Sequence, residues 1–366
     1  MEIRKLQNTA SGSFFITLPK EWITDLNIKK GEKLVISRDE EGTLKLSQLK
    51  NRENFYNEFI IAIEDYPEDS SLERCINSSY IQGSDVIIIS SQKTISIEKK
   101  QVIKESTFYL IGAEISEEFS NKIIIRILVD PLKFPLHSLI KRIYTLVSSM
   151  HVDALKSFRE NDEALAQDVI NREIEVDKLF FLMLRQLNLS LSNRLNLSDI
   201  CDSEMKIDCV LGIVLARDLS KMSHYAVEIA KQSLKLVEKE INPELKEHIS
   251  KMSRFVIKMQ QNAILSFFKN DFMRANEVLN HIQKVIDFDL ETENEVLNKI
   301  SDTSTIISLI TISSNLRNIA NSALAVSQDL QAKHRPKATY KKELGSEKFF
   351  EPLDLIESLG YEKEEK

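Results

Sequence analysis

The stretches ALKSFREND at residues 154–162 and AILSFFKND at residues 263–271 share Ala, Ser, Phe, Asn and Asp at a constant offset of 109. Ala166 with Ala275 and Val169 with Val278 keep that offset, and Leu219 with Leu316, Met222 with Ile319 and Ala226 with Ala323 match at 97. The 12-residue difference falls where the first copy carries the polar loop NLSLSNRLNLSDICDSE and the second only a brief break. Self-similarity at a long fixed period marks a repeated structural unit. From Leu136 to Ala332 apolar residues recur at three and four, interrupted only by Pro243, so each copy is predicted to be three long helices. The expectation is a tandem pair of three-helix bundles over 132–235 and 243–332.

Upstream, residues 51–131 change type repeatedly. FIIAIED reads as a strand, SSLERCINSSYIQG as a helix closed by Gly83, DVIIIS as a strand, and ISIEKKQVIKESTFYLIG as a helix closed by Gly112. AEISEEFSNKIIIRILV adds one or two strands, so the order βαβαβ(β) predicts a small layered α/β domain.

Residues 1–50 read as short strands with one brief helix. EIRKLQ, a turn at Ser11, Gly12 and Ser13, and the apolar run FFITL precede Pro19 and about two helical turns in KEWITDLNI. Two alternating runs around Leu34/Ile36 and Leu44/Leu46 follow, joined by DEEG. Four short strands in so few residues enclose no core alone, and pairing with a second copy is the expected remedy.

The 366 residues carry 49 Lys/Arg against 56 Asp/Glu, a net charge of −7. That average hides an asymmetry: residues 1–38 hold Arg4, Lys5, Lys20, Lys29, Lys30, Lys33 and Arg38 against four acids, a local +3. A nucleic-acid contact is therefore expected at the N-terminal end. Residues 333–366 lose periodicity, begin basic (Lys333, Arg335, Lys337, Lys341, Lys342) and end acidic, as a flexible tail does. Cys75, Cys201 and Cys209 are odd in number and not at metal spacing, so reduced thiols in a cytoplasmic protein are expected. No leader pattern is read at the N-terminus, and no apolar run approaches the roughly 20 residues that span a bilayer.

The opening SGSFFITLPKEWITDLNIKKGEKLVIS resembles the SpoVT/AbrB swapped-hairpin family, especially its archaeal branch, over nearly all of residues 3–48. TLPKEW and the KKGEKL step carry most of the likeness. The resemblance implies an interlocked homodimer presenting basic residues to duplex DNA. On matching positions, Arg4, Lys5 and Lys20 would lie near the backbone-contacting face, with Ser11 and Ser13 in the adjoining loop. Lys29, Lys30 and Lys33 join that candidate set, although KKGEK also reads as a solvated turn.

The helical half is similar to the PhoU family, named for negative control of phosphate uptake. EALAQDVINREIEVDKL (163–179) and ARDLSKMSHYAVEIA (216–230) carry that likeness. The combination resembles archaeal phosphate-uptake regulators that fuse the two modules. Metal-bearing members of the helical family keep an acid and, four positions on, an Asp on each third helix, where one face can hold a cation. Here Ser220 and His224 stand at those positions in the first repeat, and Arg317 and Asn321 in the second. Glu173 and Asp177 keep an i,i+4 acidic pair, but on the second helix. No family-type metal cluster and no cofactor are therefore expected.

No glycine-rich phosphate loop, HExxH, paired CxxC or nucleophile elbow occurs, so an enzyme is not expected. The leading expectation is a homodimeric transcriptional regulator tied to phosphate status. Its rival is an adaptor that docks on a phosphate transporter or sensor kinase and uses the hairpin only to dimerise. A third reading, an antitoxin-like domain with a toxin-capturing remainder, sits poorly with the length and the repeated bundle.

Overall fold

The computed structural model describes residues 3–9, 12–38, 43–48, 57–192, 194–201 and 206–333. The chain divides into two compact units, 1–56 and 57–366.

In the first unit, β1 (Gln7–Asn8) pairs antiparallel with β2 (Phe14–Phe15), and β3 (Leu34–Arg38) with β4 (Leu44–Gln48). Between the hairpins lies α1 (Lys20–Asp25), with Pro19 as its N-cap residue. The first hairpin is much shorter than EIRKLQ and FFITL suggest, because only Gln7↔Phe15 and Asn8↔Phe14 pair within the chain. The joining segment DEEG and Ser11 lie outside the described residues, as does the basic tail beyond Lys333.

The second unit opens with a four-stranded sheet in the order β5-β6-β8-β7. β5 (Glu58–Ala62) runs parallel to β6 (Val86–Ser90); β8 (Lys122–Ile127) is antiparallel to β6 and to β7 (Ala113–Glu118). The crossovers are α2 (Asp69–Ile81) and α3 (Ile97–Phe108), so the expected order appears as βαβαββ. Alternation decides which face is covered: Ile61, Ile87, Ile89, Ile123 and Ile125 join Leu72, Ile76 and Ile103 of the helices in one apolar cluster. Both predicted helix-closing glycines are at positive φ. At Gly112 (φ 74°) a Cβ would lie 2.5 Å from that of Val129, so no other residue fits.

Among the described residues six helices follow: α4 (Leu136–Glu160), α5 (Glu163–Leu191), α6 (Lys206–Leu236), α7 (Pro243–Lys269), α8 (Phe272–Lys299) and α9 (Thr303–Lys333). The repeated SFxxND segments form the same turn twice. Asn161 and Asn270 end α4 and α7 in the left-handed conformation at φ 55° and 51°. Asp162 and Asp271 then cap α5 and α8, accepting from the backbone N–H of Leu165 and Arg274. One continuous apolar core runs through both repeats, from Leu139 and Val147 to Leu316 and Ala323.

The cysteine expectation is corrected. Cys201 and Cys209 form a disulfide with Cα atoms 6.0 Å apart, and Cys75 is the free thiol among the three. The 3-10 turn Leu197–Asp199 brings Cys201 back beside the first turns of α6, a proximity that spacing alone does not reveal. Among the described residues no helix is long and apolar enough to cross a membrane.

Candidate functional site

Among the residues whose side chains are described, the N-terminal unit has no buried core. None of its residues with a described side chain is buried, and Ile3, Leu6, Phe14, Ile16, Ile36 and Leu44 are all exposed. Apolar side chains of this size normally leave water, at about 1.5–3 kcal/mol each on full burial. Arg4, Lys5, Lys20, Lys29, Lys30, Lys33 and Ser13 are exposed as well. The candidate cations thus stand on a scaffold that exposes several large apolar side chains, while Leu18, Trp22, Ile23, Ile28, Leu34 and Leu46 are half-buried.

Local hydrogen bonds shape the two loops that carry Ser13 and the lysines around Gly31. At the first hairpin, the backbone N–H and hydroxyl of Thr9 both donate to Ser13 O (2.8 and 3.1 Å), and Ser13 N–H donates back to Thr9 Oγ1 at 3.0 Å. Gly12, at φ 86°, makes that tight return possible. At KKGE, Glu32 N–H donates to Lys29 O (3.1 Å) and Lys29 N–H to Glu32 Oε2 (3.0 Å), with Gly31 at φ 91°. The Glu32 carboxylate therefore sits inside the lysine turn and offsets part of its charge.

In the helical repeats, the positions weighed for metal are used otherwise. His224 Nδ1 of α6 is hydrogen-bonded to Glu173 Oε1 of α5, so the Glu173 carboxylate has a cross-helix partner. Burial, and then the neighbouring Glu173 charge, push the Asp177 carboxyl up to about 6, while His224 opposes the shift. In the second repeat Arg317 forms an ion pair at 2.7 Å with the buried Asp289, which also accepts from Ser313 Oγ at 2.5 Å. Ser220 is half-buried and Asn321 exposed. Among the described residues no group of three or more His, Cys, Asp or Glu is placed to hold a metal ion.

One group escaped sequence reading. Arg185, buried on α5, donates to Tyr80 O and Ser84 O at 2.8 Å each and lies 5.0 Å from the Tyr80 ring centre. Asn188 donates to Ile81 O (3.0 Å) and Arg194 to Gly83 O (2.5 Å), while Arg194 also pairs with Asp85. These bonds serve carbonyls in the last turn of α2 and in the loop that leads to β6, and tie that segment to the first bundle. Helical periodicity marks Arg185 only as a polar position in an apolar stretch.

A protein-family model described as the PhoU domain matches residues 140–233 and 249–330. Another, described as "Antidote-toxin recognition MazE, bacterial antitoxin", matches residues 7–54. Among solved structures, PhoU from Pseudomonas aeruginosa is similar at 18% identity and a TM-score of 0.47, over 53% of this chain and 93% of that one. The phosphate transport system regulatory protein PhoU from Streptococcus pneumoniae is similar at 16% identity and 0.46, over 53% and 91%. No curated protein matches the sequence. The chain carries a PhoU domain in two copies, preceded by a domain of the MazE/AbrB antitoxin type at its N-terminus.

Proposed function

We propose that the protein is a non-enzymatic, DNA-binding transcriptional regulator linked to phosphate uptake, homodimeric through its N-terminal unit. The observation that carries this reading is the joining, in one chain, of the PhoU-domain repeats to a MazE-type unit whose apolar side chains are exposed alongside its cations. A second copy would bury Phe14, Ile16, Ile36 and Leu44 and place two sets of cations on one surface. Arg4, Lys5 and Lys20 are the residues assigned to the DNA backbone, with Ser11 and Ser13 beside them. Lys29, Lys30 and Lys33 are secondary, because Glu32 lies in their turn. The PhoU repeats would relay phosphate status, by a ligand or partner that distinguishes two states of the protein.

Gel retardation of genomic fragments at low and high salt tests this reading. Three cations per copy, doubled by symmetry, give about six phosphate contacts and a log–log salt slope of about −5. The adaptor reading expects no retardation, and instead co-purification with a membrane-bound phosphate transport complex or a sensor kinase. Mapping bound DNA in phosphate-rich and phosphate-starved cells tests the link to phosphate.

A further inference from the structure

The two edges of the four-stranded sheet are treated differently. β7 carries a bulge between Ile115 and Glu117, and three glutamates, Glu114, Glu117 and Glu118. Glu118 is paired with Lys100 and Lys104 at 2.9 and 3.3 Å. Bulges and charges are how a sheet edge is kept from pairing with another chain. β5, with the sequence EFIIA, has neither bulge, proline nor lysine, and its register with β6 is regular throughout. Among the described residues no strand pairs with its outer side. Ile60, at its centre, is 67% exposed.

The direction of the β5 backbone groups follows from its bonds. Asn57 O accepts from Asp85 N–H and Val86 N–H, and Ile61 O accepts from Ser90 Oγ, so residues 57, 59 and 61 point their polar groups at β6. By strand alternation, the N–H and C=O of Glu58, Ile60 and Ala62 point outward.

We propose that a second copy of this chain pairs with that edge, β5 against β5 in antiparallel fashion about a two-fold axis at Ile60. The strand is self-complementary in this register. Ile60 faces its own counterpart, Phe59 faces Ile61 and Glu58 faces Ala62, so no like charges oppose each other. The pairs at 58, 60 and 62 are the hydrogen-bonded kind, each exchanging two backbone bonds. On the side away from α2 and α3, Ile60, Ile88 and Ile124 already align in one row. Pairing runs that row unbroken from one copy into the next across an eight-stranded sheet. The contact is separate from the N-terminal one and goes beyond it.

The test uses the full chain with Cys75→Ser, to remove the free thiol, and Ile60→Cys. Directly opposed residues in such a pair have Cα atoms about 5.5 Å apart, within disulfide reach. Mild oxidation is expected to convert most of the protein to a covalent dimer, whereas Gln101→Cys, on the exposed side of α3, gives none. In the unsubstituted protein, the amides of Glu58, Ile60 and Ala62 are expected to exchange slowly, and at least about tenfold faster in Ile60→Lys. A dimeric protein with no cross-link at residue 60 and fast exchange at Ile60 overturns the strand pairing and leaves the N-terminal reading intact. A protein that cross-links at residue 60 but whose DNA affinity is indifferent to Phe14→Ser does the reverse. Slow exchange without a cross-link means another occupant and overturns the pairing, and so does a monomer.

Discussion

His151 and Gln260 hold equivalent positions in the two repeats, 109 residues apart, and their side chains meet at 3.2 Å in the buried seam between α4 and α7. With Gln260 Oε1 as acceptor, His151 Nδ1 carries the proton and Nε2 accepts from Ser253 Oγ at 3.3 Å. The duplicated sequence thus joins its halves through a pair of unlike residues where strict repetition would place like ones. A neutral imidazole offers both a donor and an acceptor, which suits a site with a carbonyl on one side and a hydroxyl on the other.

Burial holds His151 neutral by lowering its pKa to about 4, with the Gln260 bond opposing the shift. A histidine depressed in the folded state binds protons more readily when unfolded, so its contribution to stability is complete above about 6.5. That contribution declines as pH falls toward 4. The loss is on the order of 2 kcal/mol at pH 5. Urea unfolding at pH 7.5 and pH 5 should show that extra loss in the natural protein and not in His151→Leu. Parallel pH responses in the two would refute the assignment.

Arg185 is expected to be the most sensitive position in the joint between sheet and bundle. Arg185→Ala takes the guanidinium donor from Ser84 O, leaves Tyr80 O with the Gly83 N–H, and removes one of the two cations facing Asp85, at a cost of about 3 kcal/mol. Arg185→Lys should recover little, because one ammonium cannot reproduce the planar group whose Nη1 serves Tyr80 O and Ser84 O while its Nη2 faces Asp85 at 3.6 Å. Hydrogen exchange should quicken in α2 and leave α7–α9 unchanged. Acceleration in both repeats alike would mean the residue supports the bundle in general and not this joint.

Why the sequence discloses the turns but hides this joint is a matter of range. Asn161 with Asp162, and Asn270 with Asp271, act within five residues of themselves, so a repeated SFxxND preserves the device and displays it. Arg185 acts across 105 residues, on carbonyls that its own sequence neighbourhood does not reveal, in the last turn of α2 and just beyond it. The closure of Cys201 with Cys209 likewise depends on the path of the intervening loop. In the N-terminal unit the sequence locates Arg4, Lys5 and Lys20 as charges, and their side chains are exposed. Charge and exposure alone do not tell a binding face from a solvated one.

The repeated turns should respond equally in both copies. Asp162→Ala and Asp271→Ala each remove an N-cap acceptor worth about 1 kcal/mol. Asn161→Ala and Asn270→Ala, at φ 55° and 51°, should each cost about 1 kcal/mol, with the glycine variants nearer to neutral. Thermal unfolding of the four alanine variants checks this. A cost confined to one repeat would show that the shared turn supports only one bundle.

Asp177 should act on pH in the sense opposite to His151. Its folded pKa is raised to about 6, so the folded protein holds that proton more tightly and stability is lost as pH climbs from about 4 through 6. Asp177→Asn should then stabilise at pH 7.5 by on the order of 1–2 kcal/mol, discounted because the carboxyl is only half-buried, and change little at pH 4. Equal effects at both pH values would assign the gain to packing.

Arg4→Ala combined with Lys5→Ala separates DNA contact from dimer formation. The double change removes two cations per copy, or about four phosphate contacts per dimer, so the salt slope should relax from about −5 to about −2. Affinity should fall on every sequence alike, because backbone contacts position the protein and read no bases. The mass in solution should stay that of a dimer, since the side chains removed are not among the exposed apolar set. Phe14→Ser should do the opposite at this unit, weakening the N-terminal contact through lost apolar burial and taking DNA affinity with it. Retardation that keeps its slope in the double variant would move the DNA surface away from Arg4 and Lys5, and the lysine turn around Gly31 would become the next place to look.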